Sequence, residues 1–167
     1  MYNIICFHKP EEKNGFLSNW YKSSFTDENN VTFSSAEQYM MYRKAMLFGD
    51  DDIARKVMSL ASPAEIKALG RLVRGFDEKI WDENKYSIVK YGAELKFSQN
   101  AELRERLMSF GECVFAECSV SDRVWGIGLS MTSPQRFSVS RWRGENLLGR
   151  ALTEVSGNVY PIIRNGK

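Results

Sequence analysis

Two helix-start signals in the middle of the chain most constrain its fold. In a capping box, a serine hydroxyl accepts a hydrogen bond from the backbone N–H of the residue three positions later. That residue is a glutamate or glutamine, whose side chain accepts in turn from the backbone N–H of the serine. Ser34-Ser35-Ala36-Glu37-Gln38 offers two such pairings, and Ser62-Pro63-Ala64-Glu65 adds a proline at the first helical position. These signals predict one helix from about residue 34 to Phe48 and another from residue 63 to near Gly70.

Further helices and a few short strands are predicted on both sides of this pair. The helical segments are 53–60 behind an acidic first turn, a long pattern from Asp77, 101–110 after Asn100, and 145–155. The strands are 3–8, a hairpin of 23–25 with 31–33, and the apolar stretch 113–117. We therefore predict an α+β fold with a single compact, predominantly helical domain over residues 1–167.

Composition excludes several classes of protein. The net charge of +2 is lower than a general nucleic-acid binder usually carries. Three cysteines without a CxxC pair argue against a disulfide framework, and with the single histidine His8 they lack the spacing of a zinc site. The sequence shows no secretory signal and no apolar run of membrane-spanning length, which predicts a cytoplasmic protein without membrane or metal.

The first predicted helix carries a candidate catalytic pair. Glu37 and Lys44 are seven residues apart, which is nearly two helical turns, so both lie on one face. Tyr39 lies near that face and Arg43 at its border. The helix thus presents an acid/base and an amine nucleophile together. A capping glutamate and a solvated lysine explain the same pattern, so both interpretations stay open.

A second candidate is the loop that follows the last predicted strand. Residues 117–128 contain Asp122, Trp125, Gly126 and Gly128. Glycines let a backbone approach a ligand closely, and tryptophan offers a flat face for a base or sugar. A tight structural turn that buries the tryptophan is the alternative.

Two weaker signals complete the candidate set. Asn146 stands at a helix start beside Arg143 and Arg150, which suits phosphate binding and equally suits a plain N-cap. Ser18 and Asn19 are unexpectedly polar for an aromatic segment that otherwise resembles core.

Taken in order, these segments resemble a known family. The series is Phe16-Leu17-Ser18-Asn19-Trp20, Phe33 to Ala45, Pro63 with Lys67 to Arg71, Trp81, Lys96 to Asn100, Glu117 with Ser121 to Gly128, and Trp142 to Gly149. Over about residues 14–155 it is similar to the NADAR (YbiA-like) family, and the segment 130–143 matches poorly. That segment is expected to influence substrate choice.

The resemblance implies an N-glycosidase without metal or organic cofactor. Its substrates are expected to be ADP-ribose-linked or phosphoribosyl compounds. Removal of ADP-ribose from guanine bases in DNA or RNA is the favoured activity. Hydrolysis of phosphoribosylamino-pyrimidine intermediates of riboflavin synthesis is an alternative, and a non-catalytic ADP-ribose-binding module is a third possibility from another class.

The resemblance also assigns roles to residues. The predicted catalytic residues are Glu37, Lys44 and Asp122. The predicted substrate-binding residues are Ser18, Asn19, Tyr39, Arg43, Trp81, Trp125, Gly126, Gly128 and Asn146.

Two chemical routes are open to these residues. Lys44 can form a Schiff base with the sugar, which requires a neutral amine and hence a lowered pKa, with Arg43 or Lys96 as the expected cationic neighbour. Alternatively, Glu37 and Asp122 can act as acid and base in a direct hydrolysis.

Overall fold

The computed structural model describes residues 2–161 and contains, within that range, six α-helices and four short strands. The strands are β1 (Ile4–Phe7), β2 (Lys22–Thr26), β3 (Thr32–Ser35) and β4 (Val114–Glu117). The helices are α1 (Ala36–Leu47), α2 (Asp51–Ser59), α3 (Pro63–Gly70), α4 (Glu78–Gln99), α5 (Ala101–Met108) and α6 (Leu147–Val155). The predicted α+β, predominantly helical class is confirmed.

The chain divides into two compact units. One is the continuous segment Asn19–Ala101, here called the helical unit. The other, here called the sheet unit, is formed by the described residues on either side of that segment. None of the helices within residues 2–161 has the length and apolar character needed to cross a membrane.

In the helical unit, α1 is the central element and packs against α2, α3 and α4. The antiparallel hairpin β2–β3 pairs Phe25 with Phe33, and both rings pack against Tyr39 of α1. Gly92 of α4 lies so close to Tyr39 that a Cβ atom there would stand 2.6 Å from its ring. This close approach accounts for a glycine inside the long helix, where its propensity is poor.

The start of α1 decides between the two predicted capping pairs. The Ser35 hydroxyl accepts from the backbone N–H of Gln38 at 3.1 Å, and the Gln38 side-chain oxygen accepts from the Ser34 N–H at 2.8 Å. The Gln38 amide also donates to the carbonyls of Val57 and Leu60, which joins α1 to the end of α2. Gln38 therefore fills the capping role, and the capping interpretation of Glu37 is wrong.

In the sheet unit, β1 and β4 form a parallel pair with Ile4 opposite Val114 and Phe7 opposite Glu117. Helix α6 packs against β4. Gly149 of α6 makes this packing possible, because a Cβ atom there would collide with the Phe115 carbonyl. The two strands and the loops behind them enclose an apolar cluster that includes Ile127 and the buried Trp142.

Candidate active site

The amine of Lys44 lies in a niche built from three segments of the helical unit. Its Nζ donates to the Gly70 carbonyl at the end of α3 at 2.8 Å. It stands 4.5 Å from the ring centre of Phe76, in the loop before α4, and 5.5 Å from that of Trp81, in α4. We call the Gly70 carbonyl and these two rings the Lys44 niche. Lys44 is therefore not a freely solvated lysine.

Burial lowers the pKa of Lys44, and the positive charge of Arg71 lowers it further. The negative charge of Glu37 acts in the opposite direction and raises it. The sequence led us to expect Arg43 or Lys96 as the cationic neighbour. That expectation is wrong, because the residue after α3 supplies the charge. A lowered pKa increases the neutral, nucleophilic fraction of the amine near neutral pH.

Glu37 lies in the first turn of α1 with 3% of its surface exposed. Its backbone N–H donates to the carbonyl of Asn19 at 2.9 Å, so the segment after Ser18 is fixed to the helix start. Along the helix axis, the backbone of Glu37 is about 10 Å from that of Lys44. The effect of its charge on the Lys44 pKa shows that the two groups interact electrostatically.

Two other predicted residues on α1 face the hairpin. Tyr39 is buried among the rings of Phe25 and Phe33, and this burial raises its pKa to about 12. Arg43 donates to the Glu28 carboxylate at 3.3 Å and lies 5.9 Å from the Tyr39 ring centre. Their contacts are with hairpin residues, with each other and, for Tyr39, with Gly92 and Tyr91 of α4, whereas Trp81 contributes directly to the Lys44 niche.

Sequence reasoning missed Phe76 and the Gly70 carbonyl as parts of the niche. Phe76 is a large apolar residue immediately before Asp77, the N-cap of α4. An aromatic residue in this loop was the available signal. The position of a backbone carbonyl such as that of Gly70 cannot be inferred from the residue types in the sequence.

The predicted loop of the sheet unit is held by its own hydrogen bonds. The Asp122 Oδ1 atom accepts from the N–H groups of Val124 at 3.1 Å and Trp125 at 2.9 Å. Gly126 has no room for a Cβ atom, which would stand 2.8 Å from the Glu117 carbonyl. Gly128 has a φ of +69°, a conformation that favours glycine. Both glycines thus serve close approaches within the protein, and Trp125 is half-buried.

The start of α6 is joined to the same loop. The N–H groups of Glu145, Asn146, Leu147 and Leu148 donate to loop carbonyls at 2.8–3.2 Å. These carbonyls belong to Arg123, Gly126, Val124 and Trp125, respectively. The four N–H groups are therefore occupied, and the expected phosphate site at this helix start is not supported.

Asn146 itself is fully buried and adopts a left-handed conformation with φ 55°. Its Oδ1 accepts from the Glu117 N–H at 3.1 Å, and its Nδ2 donates to the Phe115 carbonyl at 2.9 Å and the Tyr160 hydroxyl at 3.1 Å. Although it stands at the N-cap position, its side chain makes no capping bond. The carboxamide instead fixes the carboxyl end of β4.

The predicted site residues are therefore distributed over both units. The helical unit holds Asn19, Glu37, Tyr39, Arg43, Lys44 and Trp81; the sheet unit holds Ser18, Asp122, Trp125, Gly126, Gly128 and Asn146. Ser18 is buried, and its N–H donates to the Gly15 carbonyl at 3.0 Å. Among residues 2–161, no cluster of three or more histidine, cysteine, aspartate or glutamate side chains could hold a metal ion.

Comparison with known proteins identifies the family. The chain matches the NADAR domain over residues 6–159. It is 42% identical over 143 residues to an N-glycosidase of Acanthamoeba polyphaga mimivirus, covering 83% of this chain and 84% of that protein. It is 32% identical over 165 residues to the Caenorhabditis elegans protein irg-1, covering 95% and 78%.

Two more distant matches are consistent with this family assignment. A Vibrio vulnificus riboflavin biosynthesis protein is 28% identical over 151 residues, which are 90% of this chain but 37% of that protein. The NMR structure of Escherichia coli YbiA superposes with a TM-score of 0.75 at 24% identity, covering 93% of this chain and 83% of that one, and thus shares the fold. The chain belongs to the NADAR domain family and is an enzyme of the N-glycosidase class, a hydrolase of N-glycosyl compounds.

Proposed function

We propose that this enzyme breaks the bond between the anomeric carbon of ribose and a base amine, and that it removes ADP-ribose from guanine bases. The observation that carries the proposal is the Lys44 amine, half-buried with a lowered pKa, on the same helix as the buried carboxylate of Glu37. Breaking such a bond requires an amine whose lowered pKa increases its neutral fraction and an acid that can protonate the leaving amine.

The proposed reaction passes through a Schiff base. A glycosylamine opens its sugar ring to an imine, and the neutral Lys44 amine adds to the anomeric carbon. The base amine then leaves with a proton from Glu37, and the sugar remains attached to Lys44 as an imine. Water, deprotonated by Glu37, attacks this imine; the sugar leaves as its aldehyde and Lys44 is restored.

The surroundings of Lys44 suit a planar, phosphorylated substrate. The rings of Phe76 and Trp81 beside the amine can contact a base. Arg71 is exposed and close enough to act on the Lys44 pKa, so it can attract a phosphate group. Asn19, whose carbonyl accepts from the Glu37 N–H, is proposed to contact the substrate as well. A substrate role for Asp122 and the loop glycines stays a prediction from the sequence.

The comparison that names riboflavin gives little support to the riboflavin intermediate as the substrate of this chain. The relative whose name contains riboflavin biosynthesis matches this chain over 37% of its own length, so its name describes a much longer protein. The mimivirus N-glycosidase matches over 84% of its length at higher identity.

The lysine route is tested by trapping. The protein is incubated with ADP-ribosylated DNA and borohydride, and the peptides are examined by mass spectrometry. We expect a reduced sugar adduct on Lys44, a loss of kcat of about 1,000-fold or more in Lys44→Ala, and a loss of about 100- to 10,000-fold in Glu37→Gln. Lys56→Ala, at an exposed lysine of α2, is the control and should stay active.

Two results would contradict parts of the proposal. An unmodified Lys44, together with an active Lys44→Ala variant, would favour direct hydrolysis with Glu37 as acid or base. A parallel incubation with the phosphoribosylamino-pyrimidine tests the substrate: release of that base alone would replace ADP-ribosylated guanine. Binding of ADP-ribose without release of either base would indicate a non-catalytic module.

A further inference from the structure

Phe76 is a large apolar residue whose position is not explained by core packing. Its side chain is 46% exposed, and it lies in the loop before α4. Its ring meets the ring of Phe48 at a centroid distance of 5.4 Å and an angle of 61°. Its other recorded ring contact is with the Lys44 amine, 4.5 Å from the ring centre. An exposed aromatic ring in contact with the Lys44 amine suggests that Phe76 acts on that amine.

The contacts of the amine show what this role is. The Gly70 carbonyl accepts one of its hydrogens at 2.8 Å. The face of an aromatic ring attracts an ammonium group, and the attraction weakens with distance. Phe76 is closer to Nζ than Trp81 is, at 4.5 Å against 5.5 Å. The ring of Phe76 therefore stabilises the ammonium form of Lys44. Burial and the charge of Arg71 act in the opposite direction, since both disfavour that form.

We propose that Phe76 is a positioning residue for Lys44, whose ring holds the ε-amine at the Gly70 carbonyl in the orientation used for attack. The inference rests on the proposed function of Lys44 as the nucleophile. Phe76 does not react; it restricts the rotation of a long, flexible side chain and stabilises its protonated form. Lys44 then returns to the same place after each turnover.

Replacing Phe76 by leucine separates these effects. Phe76→Leu retains apolar volume at a position that is nearly half exposed, so the fold should survive, but it removes the π face. The amine then loses its proton more readily, and the acidic limb of the pH–kcat profile moves down by about half a pH unit. Because the amine is held less firmly in the variant, its kcat on the plateau above that limb is lower by about three- to tenfold. The ratio of wild-type to variant kcat is therefore about threefold smaller at acidic pH than on the plateau, whereas a uniform structural defect would leave that ratio independent of pH.

The amine is also measured without substrate. Lys44 is acetylated with limiting acetic anhydride over a pH series, and its modified fraction is followed by mass spectrometry. We expect the midpoint to fall by about half a pH unit in Phe76→Leu and to return to the wild-type value in Phe76→Tyr. Phe137→Leu is the matched control, because its ring is 54% exposed and lies 4.3 Å from a different cation, Arg136. It should leave Lys44 unchanged.

The two measurements distinguish the two proposals. An unchanged labelling midpoint in Phe76→Leu overturns the positioning role, whatever the activity. A shifted midpoint that Phe76→Tyr restores supports that role. If the midpoint shifts in this way while Lys44→Ala remains fully active, the proposed function of Lys44 fails, although the contact between the ring and the amine is still established.

Discussion

At the scale of single residues, Asn146 shows how one carboxamide can substitute for strand pairing. Its side chain accepts from one backbone group of β4 and donates to another, as a neighbouring strand would. It lies in a left-handed conformation that asparagine tolerates better than most residues. Because the group is fully buried, each of these hydrogen bonds replaces contact with water that is otherwise lost.

We expect Asn146→Asp to destabilise the protein strongly. The donor to the Phe115 carbonyl and the Tyr160 hydroxyl becomes a carboxylate oxygen, which can only accept when ionised. A buried charge facing a carbonyl should lower the free energy of unfolding by about 3 kcal/mol. Urea denaturation followed by circular dichroism measures the loss.

Asn14→Asp is the matched control for this measurement. Asn14 also has a positive φ, of 63°, but it is half-buried and makes one recorded side-chain bond, to the Cys6 carbonyl. We expect Asn14→Asp to lower the free energy of unfolding by about 1 kcal/mol. A larger loss in Asn14→Asp than in Asn146→Asp would show that burial of the carboxamide is not what matters.

Residue types alone could not separate capping from chemistry at these helix starts. Both Ser34–Glu37 and Ser35–Gln38 satisfy the capping pattern, and the structure uses the second. Asn146 matches an N-cap, yet its side chain is directed to β4. In each instance the decision comes from tertiary packing, because the competing hydrogen-bond partners are distant in sequence.

At the scale of secondary-structure elements, the last turn of α4 contains an unusual buried amine. Lys96 is 1% exposed, and its Nζ lies 5.6 Å from the ring centre of Tyr21 and 5.1 Å from that of Phe97. Burial lowers its pKa to about 7. The sequence suggested a lysine favoured by the helix dipole, which describes its place in the helix but not its burial.

This burial predicts a specific dependence of stability on pH. Between about pH 7 and the ordinary lysine pKa of 10.5, the unfolded chain holds a proton on Lys96 that the folded chain lacks. Stability therefore rises with pH in this window, by up to about 1.4 kcal/mol per unit. Lys96→Met should remove that slope, which we would measure as the free energy of unfolding at several pH values.

An exposed lysine on the same helix supplies the control. Lys79→Met should give a curve parallel to that of the wild type. If the curves of Lys96→Met and wild type were also parallel between pH 7 and 10, Lys96 would be charged in the folded protein, and the assigned cause of its pKa would be wrong.

The elements themselves could be predicted well from local signals. Ser62 accepts from the Glu65 N–H, and Asp77 from the Ile80 N–H, at the predicted helix starts. The parallel pairing of β1 with β4 could not be predicted, because the strands are separated by more than a hundred residues and carry no turn signal. Phe76 and the Gly70 carbonyl of the Lys44 niche were missed for the same reason, because the parts of the niche come from separate helices and loops.

At the scale of the whole molecule, the small net charge limits how strongly this protein can attract nucleic acid. A charge of +2 on 167 residues gives little general attraction to a phosphate backbone. If ADP-ribosylated DNA is a substrate, recognition should therefore concentrate on the modified nucleotide. We expect similar kcat/KM values for an ADP-ribosylated oligonucleotide and an ADP-ribosylated guanosine.

Salt titration of the activity checks this expectation. The logarithm of kcat/KM for the oligonucleotide should fall with the logarithm of salt concentration with a slope below about 2 in magnitude. The free ADP-ribosylated nucleoside is the control for general salt effects. A much steeper slope for the oligonucleotide would reveal an extended contact with the backbone and contradict local recognition.

The hydrogen bonds between the loop 122–128 and α6 also determine which loops of this enzyme can change in length during evolution. Four consecutive loop carbonyls, Arg123 to Gly126, are matched to four N–H groups of residues 145–148, so inserting or deleting one loop residue would break the match. The segment 134–141 has many exposed side chains, and it joins the apolar cluster around Ile127 through Val139 and through the bond from the Trp142 indole to the Arg136 carbonyl. Libraries that seek new substrates should vary the length of 134–141 and keep that of 122–128 constant.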